Sequence, residues 1–110
     1  MLKLKFEKYH GLGNDFVIFD EKELKDNNIE DYSKLASSVC DRHFGIGGDG
    51  IIILRYVDNK PFMLYYNSDG SQAPMCGNGI RCFAYYLKNN NLVTEDTFVV
   101  KTVPGDLTIE

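Results

Sequence analysis

The chain has no cluster of basic residues: 12 lysines and arginines stand against 16 aspartates and glutamates, for a net charge of −4. Binding to a phosphate backbone needs concentrated positive charge, so this balance argues against nucleic acid as a partner. No apolar run approaches the roughly 20 residues that a membrane span requires. The N-terminus, Met1 to Phe6, alternates apolar and charged residues and lacks the long apolar centre of a signal peptide. A cytoplasmic protein is the expectation. Cysteine is scarce and odd in number, at Cys40, Cys76 and Cys82, which excludes a disulfide framework. Cys76 and Cys82 are six apart. On a helix they point to different faces with Cα atoms roughly 9 Å apart, too far for a bridge. There is no Cys-x-x-Cys or paired-histidine spacing, and His10 and His43 are isolated, so no metal site is expected.

What is present is ordinary globular composition, 44% hydrophobic and 25% charged in 110 residues, enough for one domain. The stretch that organises it is Asn67 to Leu87: the end of a strand, a polar turn, then a helix. Cys76 sits at the join, between Pro74 and Gly77, and the periodic run Ile80, Phe83, Ala84, Leu87 follows. A thiol there meets the free N–H groups and positive dipole end of a helix, which favour the thiolate. The same N–H groups, on the nearly bare backbone of Gly77, Asn78 and Gly79, can cradle a carboxylate. Base and anion seat in one segment point to proton transfer beside a bound carboxylate. A purely structural Cys76 is the plain rival.

Around this stretch, Leu2 to Tyr9 alternates as a half-buried strand. His10 to Asp15 reads as a hairpin turn leading into the strand Phe16–Phe19, and turn chemistry is the plain reading of Asn14 and Asp15. Asp20 to Asn28 reads as a surface connection. Asp31 or an earlier polar residue can cap a helix from about Tyr32 to His43, ended by Gly45, with Cys40 as a small core residue. Gly45 to Gly50 formally matches G-x-G-x-x-G, but a helix precedes it and a strand follows, the reverse of a dinucleotide site. A glycine turn with close backbone approach fits instead. Ile51–Leu54 is a strand, Arg55 to Lys60 a turn, and Phe62–Tyr66 a buried strand. The helix from Gly77 to about Lys88 is apolar on several sides, as in a core helix. Strands follow at Thr97–Val103 and Asp106–Glu110, where the pattern stops in mid-strand as if truncated. The sum is about six strands and two helices: an α+β domain in which a curved, mostly antiparallel sheet wraps around the helix that begins after Cys76.

Four segments, His10-Gly-Leu-Gly-Asn14-Asp-Phe16, Asp41-Arg-His-Phe-Gly-Ile-Gly-Gly-Asp-Gly50, Tyr66-Asn-Ser-Asp-Gly70 and Met75-Cys-Gly-Asn-Gly-Ile-Arg81-Cys82, resemble diaminopimelate epimerase in order and over most of the chain. The resemblance implies a cofactor-free enzyme that interconverts LL- and meso-diaminopimelate for lysine and peptidoglycan synthesis. It implies two similar domains facing each other across a cleft, each giving one cysteine, and a homodimer of complete subunits. Residues 1–110 then form the N-terminal domain, with the second domain absent. By the resemblance Cys76 is one of the two acid/base cysteines. Gly77 and Asn78 are backbone donors to the substrate carboxylate, and Asn14 and Asn67 bind substrate by their side chains. A further contact position falls at Gly50, which has no side chain to offer. Cys82, nearly two turns into the same helix, reads as a core residue rather than the second cysteine. The alternatives are an amino-acid racemase of the same fold with another substrate, and a non-catalytic amino-acid-binding half-domain or self-paired half-size protein.

Overall fold

The structure, a computed structural model, describes residues 4–43, 45–74 and 77–110. It opens on a hairpin. β1 (Glu7–Gly11) and β2 (Asn14–Asp20) pair antiparallel with Gly11 opposite Asn14, leaving a two-residue tip of Leu12 and Gly13. Both tip residues have positive φ, 46° and 89°, the backbone that matches the right-handed twist of paired strands. Asn14 and Asp15 therefore lie in the strand and not in the turn. The expected strand from Leu2 begins only at Glu7, because the Lys5 N–H is taken by the Glu23 carboxylate at 3.0 Å and not by a neighbouring strand; residues 1–3 lie outside the described residues.

The expected surface connection after Asp20 is a helix, α1 (Glu21–Asp26). Asp20 caps it by accepting from the Lys22 N–H at 3.0 Å, with Glu21 and Glu23 in the first turn and Lys25 in the last. With six residues and two of them buried, it carries too little periodicity to read from sequence. α2 (Tyr32–Val39) starts as expected, its Asp31 cap accepting from the Lys34 N–H at 3.0 Å. It stops at Cys40, short of His43. The Gly47 and Gly48 N–H groups reach back to the Val39 and Cys40 carbonyls and turn the chain away. Gly45 is not the terminator; it lies against the Ser38, Val39 and Asp41 carbonyls, where a side chain would collide.

β3 (Gly50–Val57) and β4 (Lys60–Asn67) form a second hairpin whose tip, Asp58 and Asn59, again has positive φ at both residues. The turn expected over Arg55 to Lys60 shrinks to these two. β5 (Gln72–Ala73), α3 (Gly77–Asn89), β6 (Phe98–Lys101) and β7 (Asp106–Ile109) complete the described elements, seven strands and three helices. The sheet runs β1-β2-β3-β4-β6-β7, with β5 also on β4. β2–β3 and β4–β6 are parallel; the other four pairings are antiparallel.

Side chains alternate across this sheet and define two cores. Phe16, Ile18, Ile52, Leu54, Met63 and Tyr65 pack with Cys82, Phe83, Tyr86 and Leu87 of α3. Val17, Phe19, Ile51, Ile53 and Leu64 pack on the other face with Leu24 of α1 and Ala36 and Cys40 of α2. β3 reads Ile-Ile-Ile-Leu because both of its faces are covered. α3 buries the stripe Gly79, Cys82, Phe83, Tyr86, Leu87, while Arg81, Tyr85 and Lys88 are exposed. No described helix is long and apolar enough to cross a membrane.

Candidate active site

The parallel ladder β2–β3 has a clear polarity. It begins at Phe16 opposite Gly50, and Gly50 in turn stands opposite Asn67 at the end of β4. The residues that share the α3 face are Phe16 and Ile18 on β2, Ile52 and Leu54 on β3, and Met63 and Tyr65 on β4. By the two-residue period Asn14, Gly50 and Asn67 belong to that same face, at the end of the sheet where these three strands meet. The first turn of α3 comes to the same place. Asn78 Nδ2 donates to Asn14 Oδ1 at 2.8 Å, across 64 residues of sequence. Gly11 lies so close to α3 that a side chain on it would press on Cys82 Sγ.

Of the residues expected at the site, Asn14 and Asn78 are thus in direct contact, both half-buried. Gly77, the first residue of α3, is exposed, with open space where a side chain would stand. Asn67 lies two strands from Asn14. A tight turn holds it: its N–H donates to the Ser71 carbonyl at 2.8 Å and its Nδ2 to Ser71 Oγ at 3.1 Å, while Asp69 accepts from both the N–H and the hydroxyl of Ser71. Gly50 has no room for a side chain, because the Tyr65 ring and the Tyr66 carbonyl fill it. This is the close approach expected of that glycine run. Cys76, together with Met75, lies outside the described residues. Cys40 and Cys82 are both buried. Burial pushes the Cys40 thiol up to about 11, so it stays protonated at neutral pH.

Sequence reasoning missed a charged group next to Asn14. The Asp15 N–H donates to Asp49 Oδ2 at 2.7 Å, and the Asp49 N–H returns to the Asp15 carbonyl at 2.8 Å. Arg42 lies between the two carboxylates, 3.3 Å from Asp15 Oδ2 and 3.5 Å from Asp49 Oδ1. His10 Nδ1 sits 2.6 Å from the other Asp15 oxygen, and Lys8 is 3.8 Å away. These partners, His10 first, hold the Asp15 carboxyl below the usual carboxylate range. The signal was present in part: the segment from Asp41 to Gly50 is one of the four that carry the resemblance, but its reading as a close-approach glycine turn left Arg42 and Asp49 without a role.

A family profile described as diaminopimelate epimerase matches residues 6–110. A protein described by the same words from Halothermothrix orenii is 47% identical over 112 residues, covering 99% of this chain and 38% of its own length. One from Alkaliphilus metalliredigens is 44% identical over 105 residues, covering 94% and 36%. The chain spans a little over a third of the length of these curated relatives. Among solved structures, a phenazine biosynthesis protein of the PhzF family from Bacillus anthracis superposes with a TM-score of 0.66 at 18% identity, covering 94% of this chain and 33% of that one. At that identity the likeness is one of fold.

Proposed function

The chain belongs to the diaminopimelate epimerase family, and from that premise we propose that the whole protein is a cofactor-independent epimerase. It interconverts LL- and meso-diaminopimelate in the cytoplasm, working as a homodimer, and this chain supplies one wall of each active site. The observation that carries the reading is the meeting of Asn14 and Asn78 at the first turn of α3, one residue beyond Gly77 and two beyond Cys76.

In this mechanism the Cys76 thiolate takes the proton from the substrate Cα. The Cα–H bond breaks, an S–H bond forms, and the electron pair left on carbon spreads into the neighbouring carboxylate. That charge grows toward the free N–H groups of the first turn, at Gly77 and Asn78, whose donors need no reorganisation as the proton leaves. The carboxamides of Asn14 and Asn67 orient the amino acid so that carbon and sulfur meet at attack distance. A thiol on the opposite face then gives its proton to Cα, which inverts the centre and leaves that second sulfur as thiolate. A thiol near its own pKa at working pH serves in either role. Neither Cys40 nor Cys82 can be the second group, since both are buried in the core. The thiol on the opposite face is therefore neither of these two cysteines.

The test uses the intact protein with LL-diaminopimelate. Cys76→Ala should lower epimerisation by at least about a hundredfold, the scale of a lost general acid or base. Retained turnover rejects the mechanism, and a wild-type protein that inverts another amino acid in a substrate panel rejects the substrate.

A further inference from the structure

We propose that Arg42 is a positioning residue of this site: it clamps Asp15 to Asp49 and thereby sets the Asn14 carboxamide against Asn78. The role in catalysis rests on the epimerase reading above; the clamp itself rests on geometry alone.

Asn14 occupies an awkward place. It follows the hairpin tip, where Leu12 is 76% exposed. It is paired to β1 through Gly11, but on its other side the ladder to β3 begins only at Phe16. Its partner Asn78 is on a helix anchored by a buried stripe. Of the two carboxamides, Asn14 therefore depends on what holds the start of β2.

What holds it is Asp15. Its N–H donates to the Asp49 carboxylate and its carbonyl accepts from the Asp49 N–H. This extends the β2–β3 contact one residue beyond the regular ladder, but it brings two carboxylates together. Like charges so placed repel unless a cation lies between them. Lys8 and His10 approach only Asp15. The Arg42 guanidinium gives one nitrogen to each carboxylate, and its planar fork suits a span that a lysine ammonium meets at one point. Arg42 comes from the turn after α2, so the clamp gathers three of the four family-like segments: it joins His10–Phe16 to Asp41–Gly50 and, through Asn14 and Asn78, bears on the helix start after Cys76. This gives the Asp41–Gly50 segment a purpose that neither a glycine turn nor a nucleotide loop supplied.

The experiment is Arg42→Met and Arg42→Lys in the intact protein, read by steady-state epimerisation and by the side-chain amide resonance of Asn78. Wild-type turnover is measured first. If it is absent the epimerase reading fails, while the Asn78 resonance still tests the clamp. With Arg42→Met the expectation is a KM raised roughly tenfold with a smaller change in kcat, the mark of a misplaced binding group. The Asn78 amide should move toward the position of an unpaired carboxamide. Arg42→Lys should restore part of both changes. Unchanged kinetics with an unmoved Asn78 resonance overturns the proposal. So does a lower kcat that tracks the folded fraction at constant KM, which would make Arg42 structural only. A raised KM with the Asn78 resonance in place also overturns it, because Arg42 would then act on substrate directly.

Discussion

The two ends of the β2–β3 ladder each hold one arginine among carboxylates, and the two arrangements differ in kind. At the far end Arg55 puts Nε and Nη2 on the two oxygens of a single carboxylate, Glu21, at 2.9 and 2.6 Å, and the Tyr32 hydroxyl donates to the same group at 2.9 Å. Glu21 is 8% exposed there. At the site end Arg42 divides its fork between two carboxylates at 3.3 and 3.5 Å, with its own side chain 55% exposed. A fork closed on one buried carboxylate is a strong charge-assisted contact that ties α1 and α2 to the sheet. An exposed fork shared between two half-buried carboxylates contributes little to stability but fixes where two strands begin. The same pair of residue types serves the scaffold at one end and geometry at the other.

The widest separation of the two ends should come from parallel substitutions. Arg55→Met leaves the Glu21 carboxylate buried without its main partner and should cost about 3 kcal/mol of folding stability. In folded protein kcat and KM should not change. Arg42→Met should stay within about 1 kcal/mol of wild type while KM rises as described above. Urea unfolding beside steady-state kinetics checks both, and equal losses of stability would dissolve the contrast.

A smaller effect lies in the acid range. Arg55, aided by Tyr32 and opposed by burial, holds the Glu21 carboxyl below its ordinary value of 4.5. A carboxyl depressed in the folded state adds stability above its unfolded pKa, and that stability is lost as pH falls through the folded pKa. The stability gap between wild type and Arg55→Met should therefore be full at pH 7 and narrow below about 4.5. A gap that stays constant down to pH 3 would remove Glu21 ionisation as its cause.

The smallest effect expected is from Asp31→Ala, which removes the α2 cap beside Tyr32 at a cost of about 1 kcal/mol. The Tyr32–Glu21 contact should survive, so the Arg55 penalty should add to it. Strong non-additivity would show that the far end works as one unit including the cap.

Much of the frame was legible in the sequence because it rests on local chemistry. A hairpin turn somewhere in His10 to Asp15, a polar cap before Tyr32, the all-apolar Ile51–Leu54 and the helix from Gly77 each announce themselves within a few residues. α1 was not legible, since six residues with one apolar anchor show no period. Nor was the early stop of α2, because the groups that end it, the Gly47 and Gly48 N–H, come from beyond the apparent helix. Asn14 and Asp15 read as turn residues by type alone, and only the register of β1 on β2 moves them into the strand.

By itself the sequence determined the family, the class of fold, the order of most elements and the four segments that converge on one end of the sheet. These follow from periodicity, capping and short motifs, all carried by residues close together in the chain. The tertiary structure alone decided that Asn78 meets Asn14, that Arg42 stands between Asp15 and Asp49, and that Glu21 is a buried partner of Arg55. Each of those contacts joins side chains from separate elements, Arg42 with Asp49 through only seven residues and Asn14 with Asn78 through 64. Pairings of that kind depend on strand register and helix placement, which are set by how two cores pack on opposite faces of one sheet.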